Sequence, residues 1–173
     1  MKLKKVITVI LTITIVSTAF MACGGEKSAD IPFTTLGFES THVEMTEELG
    51  EPIEEKPSVF GTAYSYPCEY KDQEGVVQYI FDEDGKMTSV RWSYACEEGD
   101  DITNLYTDIH KQLENKYGET KESTESVTNL SDIWRLDTGN IEVAAIVSSD
   151  LNVIMYTYLS PENSTSAEEL ENK

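Results

Sequence analysis

The chain has 173 residues, 39% of them hydrophobic, with 32 acidic against 13 basic side chains and a formal net charge of −19. That balance excludes a nucleic-acid partner, because phosphate contacts need a basic footprint. It also opposes attachment to an anionic membrane surface by charge alone. Nine tyrosines and two tryptophans exclude a disordered stalk and supply material for one core.

In chain order, Lys2, Lys4 and Lys5 precede an apolar run from Val6 to Val16, and small residues lead from Ser17 to Cys23. A basic start, a short apolar stretch and a small residue before a break read as a secretory signal over 1–22. The run is shorter than the roughly 20 residues of a membrane span. Phe20-Met21-Ala22-Cys23 is similar to a bacterial lipobox, and the resemblance implies that Cys23 is acylated and anchors the mature protein on the outer side of the cell membrane. An ordinary cleaved signal or an uncleaved anchor are the alternatives. Removing 1–22 takes away three lysines and no acid, leaving ten basic and 32 acidic residues, a net charge of −22. Residues 23–32 read as a polar tether, and 161–173, with Pro, Ser and Glu but little apolar material, as a loose acidic tail.

Between them lies an internal repeat. ELGEP (48–52) aligns with KYGET (116–120) at an offset of 68, which also pairs His42 with His110. VRWSY (90–94) aligns with IMYTY (154–158) at an offset of 64, which also pairs Tyr70 with Trp134 and Val77 with Ile141. Each copy reads as a helix followed by three strands. Thr41 and Glu44 form a capping box, and Gly50 with Pro52 stops the first helix. Asp100 or Asp101 caps the second helix, whose stripe is Ile102, Leu105, Tyr106, Ile109, Leu113 and Tyr117. Val77, Tyr79 and Phe81 alternate along one strand and Val90, Trp92 and Tyr94 along the next. An Asp84-Gly85 turn sets Tyr79 opposite Val90 and Val77 opposite Trp92. In copy two, Ile141, Val143 and Ala145 face Ile154, Tyr156 and Tyr158. The expected fold is α+β: two tandem αβββ repeats over 33–96 and 97–160, with the helices on one sheet face.

This pattern resembles two families of small exported proteins. One is the β-lactamase inhibitor protein, with tandem helix-plus-sheet repeats. The other is the SmpA/OmlA-type envelope lipoprotein, whose helix ends in a V…LG-x-P pattern matched here by Val43, Leu49, Gly50 and Pro52. The resemblance implies a binding module and no enzymatic activity.

The residues offer little chemistry of other kinds. Cys68 and Cys96 are an even pair in an exported chain, which would suggest a disulfide. With a loop at 72–75, however, Cys68 faces Tyr79 and Cys96 lies two strands away, beyond the ~7 Å Cα separation a disulfide tolerates. His42 and His110 lack a partner at metal-ligand spacing, so no metal or other cofactor is expected. There is no Gly-x-Ser-x-Gly elbow, no phosphate loop and no outstanding carboxylate pair, so no catalytic residue is assigned. The acidic clusters 82–84 and 97–101 suit a hairpin turn and a helix start, with a weak Ca²⁺ site as the alternative. Trp92, Tyr94, Tyr156 and Tyr158 form the candidate partner-binding ridge, because aromatic residues anchor interfaces; packing beneath the helices is the competing reading. The expected function is a non-enzymatic, membrane-anchored module that binds an envelope or secreted protein; the alternative is a solute- or cation-binding lipoprotein.

Overall fold

The structure, a computed structural model, describes residues 31–164 except 60 and 121. The signal, Cys23, most of the tether and the end of the tail lie outside the described residues. Two helices, α1 (His42–Leu49) and α2 (Gly99–Tyr117), each precede four strands. The strands are β1 (Glu54–Ser58), β2 (Gly61–Tyr70), β3 (Gln73–Phe81), β4 (Met87–Cys96), β5 (Glu122–Glu125), β6 (Asn129–Leu136), β7 (Gly139–Val147) and β8 (Asn152–Leu159). All eight join one antiparallel sheet in the order β1-β2-β3-β4-β8-β7-β6-β5.

This corrects the expectation of two αβββ repeats: the protein is mostly a single eight-stranded antiparallel sheet carrying two helices. The strands missing from the sequence reading are the edges, β1 (EEKPS) and β5 (ESTE), almost wholly exposed. With neither face buried they have no apolar alternation, and the period-two signal that marks a strand is absent. Pro57 and the glutamates blunt these edges against pairing with another chain.

Local signals set the helices. Thr41 caps α1 in the expected box: its N–H donates to Glu44 Oε2 at 2.8 Å, and the Glu44 N–H to Thr41 Oγ1 at 3.3 Å. The Thr41 N–H first, and then its hydroxyl at 3.1 Å, donate to the Glu44 carboxylate and hold it below its ordinary range. Gly50 ends the helix at φ 82°. α2 starts earlier than expected, with Glu98 at the cap and no side-chain capping bond. Its stripe Ile102, Leu105, Tyr106, Ile109 and Leu113 is buried over the sheet's centre.

The β3–β4 register is the expected one, with Tyr79 opposite Val90 and Val77 opposite Trp92. The loop is longer than two residues: Asp82 N–H reaches Lys86 O, and Gly85 takes φ 79°. The β2–β3 turn is Lys71-Asp72, both at positive φ, so Cys68 pairs with Gly75 and not, as expected, with Tyr79. Cys68 and Cys96 still lie on strands separated by β3, and both thiols are free.

The repeat has a structural counterpart. Tyr66 Oη donates to the Gly50 carbonyl at 3.0 Å, and Trp134 Nε1 to the Gly118 carbonyl at 2.9 Å. Each copy thus ties its helix end to its second strand. Tyr66 pairs with Val77 and Trp134 with Ile141, so these positions correspond. The equivalent of Trp134 is therefore Tyr66, whereas the sequence alignment chose Tyr70. A slip of four residues along a strand preserves which face a side chain takes, so both alignments satisfy the same apolar pattern.

The segment before α1 lies in the core. Ile31 and Phe33 are buried, the former within the expected tether. The Phe33 ring meets Tyr70 edge-on at 5.0 Å and Tyr156 at 5.2 Å, and stacks on Trp92 at 6.2 Å. Its carbonyl accepts from the Tyr79 hydroxyl. At the other end, the first residues of the expected tail form a 3₁₀ turn, Pro161–Asn163, and Ser164 Oγ accepts from the Asn140 N–H at 2.8 Å.

Candidate functional site

Helices and the 31–40 segment cover one face of the sheet, and the expected aromatic ridge is on that face. Trp92, Tyr156 and Tyr158 are 0%, 5% and 0% exposed. Tyr94 is half-buried and stacks on Trp92. Burial pushes the Tyr156 phenol well above its ordinary range. These residues build the core and present little surface. The reason lies in topology: β4 and β8 are the two central strands, with Trp92 directly opposite Tyr156.

Among the described residues the other face carries no helix. Across five strands it presents a polar row, Ser65, Gln78, Arg91, Thr157 and Glu142, each in register with the next. Small or half-buried residues flank that row, among them Ser93, Met155 and Ala144. Gln78 Nε2 donates to Ser65 Oγ at 3.2 Å. Arg91 Nε donates to Thr157 Oγ1 at 3.2 Å. Among the described residues that is the whole of Arg91's bonding, and no carboxylate pairs with it.

At Arg91 the face holds a shallow, open cleft of about 520 Å³. Ala63, Gln78, Ile80 and Arg91 form its floor, and the β1–β2 hairpin, from Lys56 to Val59, forms its wall. Lys56 is exposed and paired with Glu54 at 2.9 Å. No acidic side chain lines the cleft. Arg91 stands inside the aromatic run VRWSY, whose aromatic residues and not the arginine mark the expected site. Its signal was parity: Arg91 alternates with Val90 and Trp92 and had to emerge on the opposite face.

A second polar cluster lies between α2 and β6. The Asp132 carboxylate, 1% exposed, accepts at Oδ2 from the Tyr106 hydroxyl and lies 2.7 Å from His110 Nδ1. Its Oδ1 has no hydrogen-bond partner among the described residues. Burial first, then the Asp132 bond and charge, drive the Tyr106 phenol far above its ordinary range. His110 Nε2 faces Glu114 at 3.9 Å. A carboxylate orienting an imidazole is half of a nucleophile-activating arrangement, but no hydroxyl or thiol is hydrogen-bonded to Nε2 among the described residues. The cluster pins α2 to β6. The repeat partner His42 stacks instead on Tyr64, with 3.9 Å between ring centroids, so the two histidines do not form a matched pair of ligands. Among the described residues no group of three His, Cys, Asp or Glu side chains could hold a metal ion. No described helix is long and apolar enough to cross a membrane.

No protein-family model matches the chain, and no curated protein matches it in sequence. Among solved structures, it is similar to YjgB, a DUF4309 family protein from Bacillus subtilis, with a TM-score of 0.45, 12% identity, and coverage of 72% of this chain and 80% of that one. It is also similar to an extracellular protein containing an SCP domain from Bacillus anthracis, with a TM-score of 0.44 and 15% identity. That match covers 80% of this chain and 48% of the other, so the chain spans about half the length of that neighbour. Both neighbours are bacterial proteins, and neither bears out the resemblance to the β-lactamase inhibitor protein or to SmpA/OmlA-type lipoproteins.

Proposed function

We propose that this is an exported, lipid-anchored module of the bacterial cell envelope that binds a protein partner through the uncovered face of its sheet. The anchor rests on the sequence: Cys23 follows a basic, apolar leader. The binding role rests on one observation, that among the described residues helices cover one sheet face only while the other presents half-buried apolar and small residues around a cleft. A solvated face is ordinary for an antiparallel sheet, and what distinguishes this one is the cleft at Arg91 with half-buried apolar residues around it, the kind of surface that marks an interaction site. The blunted edges turn partners away from strand addition and towards the face.

The test separates anchor from face. Cys23→Ser is expected to move the protein from the membrane to the soluble exported fraction with its melting temperature unchanged. Ala144→Arg, on the open face, is expected to abolish partner recovery from solubilised envelope, while Thr107→Arg on exposed α2 leaves it intact. Membrane retention of Cys23→Ser would remove the anchor. Equal recovery with both arginine variants would remove the face.

A further inference from the structure

We infer that the Arg91 cleft is a carboxylate-binding subsite, taking the carboxylate of a short apolar chain. The inference rests on the open-face reading above and adds the chemistry of what that face recognises. Four observations carry it.

The first is the state of Arg91. A guanidinium has five N–H donors, and among the described residues only Nε is used, on Thr157 Oγ1. The chain has 32 acidic side chains against 13 basic ones, yet among the described residues none pairs with this arginine. The other described arginine, Arg135, forms a fork-like pair with Glu122, Nη2 lying 2.7 Å from Glu122 Oε2. The same fork at Arg91 is left without an acid.

The second is orientation. The bond from Nε to Thr157, which neighbours Arg91 directly across β4–β8, fixes the plane of the guanidinium. A fixed planar fork is matched by a planar two-oxygen acceptor, so the geometry favours a carboxylate.

The third is charge. The lining carries two cations, Lys56 and Arg91, and no acid. Lys56 is already engaged by Glu54. One unpaired positive charge suits a monoanion better than a phosphate dianion, which in so acidic a chain would require more cations around it.

The fourth is the remainder of the lining. Pro57 and Val59 give the cleft an apolar part beside the charge, over the buried Ala63 and Ile80, and Ser58 and Gln78 supply polar groups. An aliphatic body on the apolar side with its carboxylate on Arg91 satisfies both. The carboxylate could end a peptide chain or belong to a free aliphatic acid, and the probes below separate the two.

The experiment uses the chain from residue 23 onward, followed by backbone amide shifts and calorimetry. The probes are acetyl-Ala-Ala-Ala with a free carboxylate, the same peptide amidated, and hexanoate. The expected result is millimolar binding of an acid probe, with shifts centred on Ala63, Gln78, Ile80 and Arg91. The amide is expected to bind about tenfold more weakly, the loss a charge-assisted bidentate contact would produce. Arg91→Gln is expected to lose the same factor, and Arg91→Lys to lose part of it, since charge remains but the fork does not. Preference for the peptide over hexanoate assigns a chain end; the reverse assigns a small acid. Equal affinity for acid and amide, or indifference to Arg91→Gln with shifts still on the open face, overturns the carboxylate assignment while sparing the face. No shift on the open face with any probe, in a protein whose melting is unchanged, overturns the subsite. If Arg91→Gln melts early, the acid–amide comparison in the unaltered protein decides alone.

Discussion

Replacing Gly75 by alanine should be among the most damaging single-methyl additions to this protein. A Cβ at this position would lie 2.5 Å from Trp92 Nε1, 2.7 Å from Trp92 Cε2 and 2.6 Å from the Ser93 carbonyl oxygen. The indole passes over Gly75 to reach β2, where Nε1 donates to the Cys68 carbonyl at 3.1 Å. It has nowhere to go: Trp92 is fully buried and held by Phe33, Tyr70 and Tyr94. Forcing it aside adds overpacking of about 1–3 kcal/mol. It also leaves a buried donor unpaired, at about 1–3 kcal/mol. Together about 2–6 kcal/mol would be lost, a large share of the 5–15 kcal/mol typical of a domain. Gly85 is the control, with φ 79° and nothing within 4 Å of its added Cβ. There alanine meets only left-handed backbone strain, about 1–2 kcal/mol. Denaturant melts followed by tryptophan fluorescence and circular dichroism would measure both. A Gly75→Ala loss no greater than that of Gly85→Ala would refute the packing assigned to Trp92.

Two further perturbations address the polar core. Asp132→Ala removes the acceptor shared by Tyr106 and His110, and should cost about 1–3 kcal/mol by thermal melting, with Asp132→Asn costing less because it retains an acceptor. Alkaline unfolding should be steep. Burial raises the phenols of Tyr106 and Tyr156, and pushes Tyr70 up to about 12 from its ordinary 10.0. Because the folded values lie above the unfolded one, their contribution is fully present below pH 10 and is lost as the pH rises towards the folded values. A spectrophotometric tyrosine titration should show Tyr70 ionising after the exposed tyrosines, with a co-operative step at unfolding; ionisation of all tyrosines together near pH 10, without unfolding, would contradict it.

Sequence periodicity carried the interior of this fold. The alternation in QEGVVQYIF and VRWSY gave the β3–β4 register, and the 3.6-residue stripe from Ile102 to Leu113 gave α2. What it could not carry follows from physics. β1 and β5 are exposed on both faces, so nothing in EEKPS or ESTE alternates. The Lys71-Asp72 turn uses two residues at positive φ without glycine, leaving no turn signature to read. Trp92, Tyr156 and Tyr158 were the most conspicuous residues and became core, because a central strand buries whatever faces the helices. The candidate site instead comprises the residues between them. Arg91 and Thr157 alternate with that aromatic set and lie four strands of chain apart, so only the β4–β8 pairing brings them together.

Which sheet face meets a partner is the central question for this protein. A photoreactive amino acid placed at Ala144, on the open face, and at Thr107, on the exposed side of α2, would report this in intact cells. A discrete cross-linked species is expected from Ala144, absent from Thr107 and weakened by Arg91→Gln. Cross-links from Thr107 with none from Ala144 would contradict the open-face reading.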